Sequence, residues 1–141
     1  ALDRAATDAP GATMAALSEH GFDTAGTEIH DNSGLSTMNL ITPKLLDSIL
    51  ADAAAKPELR PLLNALPVAS GEGTLIERYG DLPGRGWVRA KTGTLDDTSG
   101  LAGTVTSVNG NVYTFAFLSN GSSVLEARRA MDEMASILRA Y

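Results

Sequence analysis

Lys91-Thr92-Gly93-Thr94 sets an amine, a hydroxyl, a residue without a side chain and a second hydroxyl in one short run. On a strand, the amine supplies a positive field, the first hydroxyl donates to an anionic group, and glycine lets a ligand backbone come close. The rest of the chain offers less. His20 and His30 are the only histidines and lack metal-ligand spacing, and cysteine is absent, so the expectation is no metal, no thiolate site and no cysteine nucleophile. His20 follows a helical pattern and is expected to meet terminal carbonyls. Asp96-Asp97 reads as a solvated turn. Gly71-Glu72-Gly73-Thr74 lacks the lysine of a phosphate loop, and no Gly-x-Ser-x-Gly elbow occurs.

The run needs elements to position it. Trp87 to Gly93 reads as a strand, and Leu101 to Val108 as a second that ends at Asn109-Gly110, a dipeptide suited to hairpin turns. Val112 to Leu118 returns with Val112, Thr114, Ala116 and Leu118 on one side and Tyr113, Phe115 and Phe117 on the other. Both sides are largely apolar, which predicts a strand interior to a sheet covered on both faces. Ser123 with Glu126 forms a capping-box pattern, and Val124, Ala127, Met131, Met134 and Leu138 repeat at helical spacing, so a terminal helix should pack on the hairpin.

Upstream, Pro10 opens a helix carrying Met14, Ala15, Leu17 and Ser18 that stops at Gly21. Thr27 to His30 is a short extended candidate before the turn Asp31-Asn32-Ser33-Gly34. Thr42 caps a helix with Pro43 at its first position and Leu45, Leu46, Ile49, Leu50 and Ala53 as its apolar stripe, ended by Pro57. Glu58 to Ala65 reads as a short helix interrupted by Pro61, Ser70 to Gly73 as a loop, and Thr74 to Tyr79 as helix rather than strand. Helices, then an antiparallel strand group, then a terminal helix make an α+β pattern. No internal repeat or linker appears, so the 141 residues read as a single domain.

With 43% hydrophobic and 20% charged residues the chain has enough apolar side chain to bury a core. Its formal charge is -6, and without a Lys/Arg cluster it lacks the positive stripe nucleic acid requires, as well as a polybasic membrane patch. No apolar run reaches membrane-spanning length. Ala1-Leu2-Asp3-Arg4 resembles neither an initiator nor a secretion signal, from which the expectation is a start after processing or at an experimental cut.

Several runs occur in order around Lys91-Thr92-Gly93. Ahead lie Asp31-Asn32-Ser33-Gly34-Leu35-Ser36, Asn39 to Pro43, Leu63-Asn64-Ala65-Leu66-Pro67-Val68-Ala69, and Gly73-Thr74-Leu75 with Arg78. Behind lie Leu95, Ser99-Gly100-Leu101-Ala102-Gly103, Asn109-Gly110 and Phe115-Ala116. Together they resemble the C-terminal part of the D-alanyl-D-alanine carboxypeptidase/endopeptidase family of the penicillin-binding protein 4 type, peptidase family S13. The resemblance covers nearly the whole chain.

The resemblance implies the C-terminal part of a penicillin-binding, β-lactamase-like transpeptidase fold, with a sheet of about three antiparallel strands packed with helices. It implies serine-type hydrolysis of peptidoglycan stem peptides through an acyl-enzyme, no cofactor, β-lactams as ligands of the full-length enzyme, and an extracytoplasmic location. By carry-over, Lys91 attracts the substrate carboxylate and assists proton transfer, the Thr92 hydroxyl binds that carboxylate, Gly93 permits approach, and the Thr94 N–H is an oxyanion-hole donor. An edge strand suits these roles.

The family's Ser-x-x-Lys and Ser-x-Asn motifs are not found in their places. No serine of the chain has lysine at the third position after it, and Ser107-Val108-Asn109 follows Lys91 where the family's motif precedes it. Asp31, Ser33 and Ser36 read as turn residues, Trp87 as packing, and Arg128-Arg129 as a solvated helix face. The expectation is a fragment bearing one wall of an active site, inactive alone, with a self-sufficient peptide-binding module as the alternative. The Val112 to Leu118 strand, lacking N-terminal neighbours, is expected to pair with another copy or with the missing segment.

Overall fold

The computed structural model describes residues 8–121 and 123–141, so the N-terminal tetrapeptide discussed above lies outside the described residues. Helix α1 spans Ala9–Glu19; Asp8 accepts from the Gly11 N–H at its start, Pro10 fits its first turn, and His20 and Gly21 end it. The Thr27–His30 candidate reduces to a two-hydrogen-bond bridge between Glu28 and Leu40. Helix α2 spans Pro43–Ala55, capped by the Thr42 hydroxyl, which accepts from the Leu45 N–H at 3.2 Å. Its buried face is Leu45, Leu50 and Ala53. After one 3-10 turn, α3 covers Arg60–Asn64; Pro61 lies in its first turn, where its missing N–H costs nothing, and does not interrupt it.

Strands β1 (Val88–Thr94), β2 (Thr98–Thr106) and β3 (Val112–Asn120) form an antiparallel sheet in the order β1-β2-β3. Helix α4, Val124–Leu138, follows. The register pairs Lys91 with Ala102 and Thr92 with Leu101 on β2, and Leu101 with Phe117 on β3. One sheet face carries Val88, Ala90, Leu101, Val105 and Phe115, packed with Met131 and Ala135 of α4. On the other, Ala102 packs against Leu50, Ala53 and Leu63 of α2 and α3. At Gly103 a Cβ would stand 2.0 Å from the Arg89 carbonyl oxygen, so β1 and β2 approach as closely as they do only because this residue is glycine. Gly110, at φ +82, closes the β2–β3 turn.

Four expectations change. The β3 strand has both faces covered as its alternation predicts, yet it stands at the sheet's edge, because a pattern of covered faces carries no information about lateral neighbours. Thr74 to Tyr79 forms neither helix nor strand beyond the 3-10 turn Gly73–Leu75; the positive φ of Tyr79, +74, is incompatible with a continuing helix. Ser123 precedes α4 without a side-chain capping bond, so the capping box is not made. Met134 is 41% exposed, and Ala135 takes its place in the buried stripe.

Candidate active site

The outer edge of β1 is covered along half its length. Segment 67–69 runs beside it: the Ala69 N–H donates to the Val88 carbonyl at 2.9 Å, and the Ala90 N–H donates to the Pro67 carbonyl at 3.0 Å. These bonds also fix a phase. Backbone groups of alternate residues point to opposite sides of a strand, so those of Val88 and Ala90 facing outward puts the Thr92 and Thr94 N–H groups outward too. The Leu95–Thr98 pair agrees, exchanging bonds inward at the turn. Among the described residues the cover stops beyond Ala90, leaving Lys91 to Thr94 as the open part of the edge.

Side chains alternate about that edge. Lys91, opposite Ala102, belongs to the α2 face, and its ammonium donates to the Thr92 carbonyl at 2.7 Å. Thr92 and Thr94 belong to the α4 face. The Thr92 hydroxyl lies 3.1 Å from that of Thr74, and the Thr94 hydroxyl accepts from Arg128 Nη2 at 2.9 Å. Gly93 has no positive φ, and a Cβ there would meet nothing within 4 Å, so neither conformation nor internal packing demands glycine.

A cavity of about 600 Å3 lies beside the end of β1, lined by Gly93 and Thr94 together with Asp31, Ser36, Leu40 and Leu118. Asp31 and Ser36 thus stand near the open edge, but their polar groups are spent on the turn. The Asp31 carboxylate accepts from the Gly34 and Ser36 N–H groups, both at 2.7 Å, and from the Asn39 amide at 3.2 Å. Asn39 Oδ1 in turn accepts from the His30 and Asp31 N–H groups. Ser33 caps the Leu35 N–H. The turn reading of these residues holds.

A second cavity, about 740 Å3, opens on the α4 face and is lined by Thr74, Thr92, Arg78, Arg128 and Arg129 among others. Beneath it, Arg78 grips Asp132 by two hydrogen bonds, 2.7 and 3.1 Å, and donates to the Arg128 carbonyl at 3.2 Å. The pair is largely buried, 14% and 9% exposed. Burial pushes the nearby Tyr79 phenol up in pKa, and the Asp132 carboxylate pushes it further.

Sequence reasoning missed Arg128 as a neighbour of the site. Its only linear signal is the cation on a helix facing the strand, 34 positions away. Trp87 is half exposed and stacks under Arg139, 4.1 Å from guanidinium carbon to ring centre, so it is a surface cation–π partner and not core packing. His20 Nδ1 lies 2.8 Å from the Ala16 carbonyl oxygen, as its place after a helix suggests. Ser107 and Asn109 sit in the β2–β3 turn, at the opposite end of the sheet from Thr94.

A profile of the D-Ala-D-Ala carboxypeptidase 3 (S13) family matches residues 3–141. The chain belongs to the S13 family. It is 46% identical over 138 residues to "Carboxypeptidase DacB" of Mycolicibacterium smegmatis, covering 94% of this chain and 30% of that protein. It is 36% identical over 131 residues to the D-alanyl-D-alanine carboxypeptidase of an Actinomadura species, covering 89% of this chain and 24% of that one. The S13 chain thus spans less than a third of the curated relatives it matches. Among solved structures, penicillin binding protein 4 from Haemophilus influenzae, in complex with a β-lactam, superposes with a TM-score of 0.78 at 28% identity, over 91% of this chain and 32% of that one. A predatory endopeptidase from Bdellovibrio bacteriovorus shares the fold at 21% identity, TM-score 0.68, over 92% of this chain and 38% of that chain. The architecture is accordingly part of the penicillin binding protein 4 transpeptidase fold. Among the described residues no helix is long and apolar enough to cross a membrane.

Proposed function

We propose that this chain is the C-terminal portion, as one domain, of a serine-type D-Ala-D-Ala carboxypeptidase acting on peptidoglycan stem peptides outside the cytoplasm, and that it forms one wall of the active site. The observation that carries the reading is the open stretch of β1. Cover ends at Ala90, and Lys91 to Thr94 follow with outward N–H groups at Thr92 and Thr94. An extended peptide can pair along such an edge.

In this reading the Lys91 ammonium attracts the substrate's terminal carboxylate and assists proton transfer. The Thr92 hydroxyl donates to that carboxylate. Gly93, which the chain's own packing does not require, leaves space for the acyl-D-Ala backbone. The Thr94 N–H stabilises the oxyanion of the tetrahedral intermediate, with the backbone N–H of the nucleophilic serine as second donor. That serine belongs to a Ser-x-x-Lys motif these 141 residues do not contain, so the chain alone forms no acyl-enzyme. β-Lactams would acylate the complete enzyme.

The test is a segment exchange. Placing residues 3–141 into the matched region of the Mycolicibacterium smegmatis carboxypeptidase should leave D-Ala release measurable, and Lys91→Ala in that chimera should lower the rate about 100- to 10,000-fold. A folded chimera indifferent to Lys91→Ala refutes the assignment. Incubation of the isolated chain with a labelled penicillin should leave no covalent label; stoichiometric labelling of any serine refutes its inactivity.

A further inference from the structure

We propose that Arg128 of α4 is a substrate-binding residue which, with Thr92 and Thr94, holds the terminal carboxylate of the peptide from the sheet face opposite Lys91. The inference rests on the function proposed above and adds a residue and a subsite to it.

Two cations flank the open edge of β1, one on each face. Lys91 reaches back to the Thr92 carbonyl on the α2 side, and Arg128 reaches the Thr94 hydroxyl on the α4 side. The second lies on the same side as both hydroxyls. Thr92 and Arg128 line one cavity of about 740 Å3, large enough for the last residue of a peptide and its hydration. Of the arginines there, Arg78 is already neutralised by Asp132. Glu77 and Glu133 also line the cavity, yet among the described residues no carboxylate forms an ion pair with Arg128.

Among the described residues its one hydrogen-bond acceptor is a neutral hydroxyl, which leaves most of the guanidinium fork for an anion. The backbone beneath it is anchored as well. Arg78 donates to the Arg128 carbonyl while gripping Asp132 one turn further on, so the backbone that carries Arg128 is fixed by a largely buried pair. A planar guanidinium that meets the Thr94 hydroxyl and shares a cavity with Thr92 suits a carboxylate, which accepts bidentately from the fork. Substrates ending in an amide would lose both the charge and the second acceptor.

The test titrates the 15N-labelled 141-residue chain with N-acetyl-D-Ala-D-Ala and with its C-terminal amide, following the amide signals of β1. The acid should bind at least about 10-fold more tightly than the amide. Arg128→Gln should remove most of that preference, and Arg128→Lys should keep part of it. Arg128→Gln with the wild-type preference, or with equal weakening of acid and amide, overturns the proposal while β1 shifts in the wild type keep the edge reading standing. A wild-type chain whose β1 signals respond to neither peptide overturns the edge reading and the proposal together.

Discussion

The Asp31 carboxylate works against its own burial, which pushes its pKa up, and is pulled below the ordinary value by hydrogen bonds from Gly34, Asn39, Ser36 and Ser33. A carboxylate depressed in the folded state contributes stability above its unfolded pKa and loses it as pH falls through the folded one. The 31–39 turn should therefore loosen only in acid, below the usual Asp range. Hydrogen exchange at the Gly34 and Ser36 amides should accelerate there, after correction for the intrinsic rate, and Asp31→Asn should abolish that pH dependence. The turn chemistry was readable from Asp-Asn-Ser-Gly because those side chains bond locally. Arg128 was not readable, because its contact with Thr94 depends on how α4 crosses the sheet. Ser123 shows the opposite failure: the residue types of a capping box are present, but the approach of the chain to α4 does not make the bond.

Among the elements, β1 depends on both its neighbours. Segment 67–69 covers its first half, and Gly103 on β2 lets the other side come close. Gly103→Ala should cost about 3 kcal/mol or more, since the added carbon meets the backbone of Arg89 and Ala90 and no flexible side chain can yield. Urea denaturation measures it, and a loss under about 1 kcal/mol would mean the strands separate easily. Asn109-Gly110 and the alternation through Val112 to Leu118 carried the hairpin and both of its faces in the sequence. Strand order was not carried there, nor was the irregular path of 74–82, which the fixed turns at Ser70 and Tyr79 and the tether from Arg78 to Asp132 impose.

Over the whole molecule, the Arg78–Asp132 pair ties that irregular path to α4. Asp132→Asn leaves the guanidinium largely buried without its counter-charge and should cost about 3 kcal/mol, visible as a melting temperature lower by about 10 °C; an unchanged melting temperature would make the pair a bystander. Among the described residues no strand pairs with the outer side of β3, and such an edge is expected to pair with another copy. Light scattering should detect association as concentration rises, and a strictly monomeric chain at high concentration would count against pairing between copies. Family membership was legible because many short runs keep their order around Lys91-Thr92-Gly93, each tied to a local structural need: the turn at Asp31, the strand cover at 67–69, the close approach at Gly103.

In the proposed function the Thr94 N–H, facing outward from the edge of β1, is the oxyanion donor this chain supplies. Thr94→Pro in the Mycolicibacterium smegmatis chimera removes that N–H, and an edge position whose N–H faces away from the sheet accepts proline. D-Ala release by this variant, set against Thr94→Ala, which loses the same hydroxyl but keeps the N–H, is the deciding measurement: a folded protein slower than Thr94→Ala by about 100- to 1,000-fold is the outcome expected for a lost oxyanion donor. A folded proline variant that releases D-Ala at the Thr94→Ala rate, or one that cannot fold because the ladder needed that bond, contradicts it.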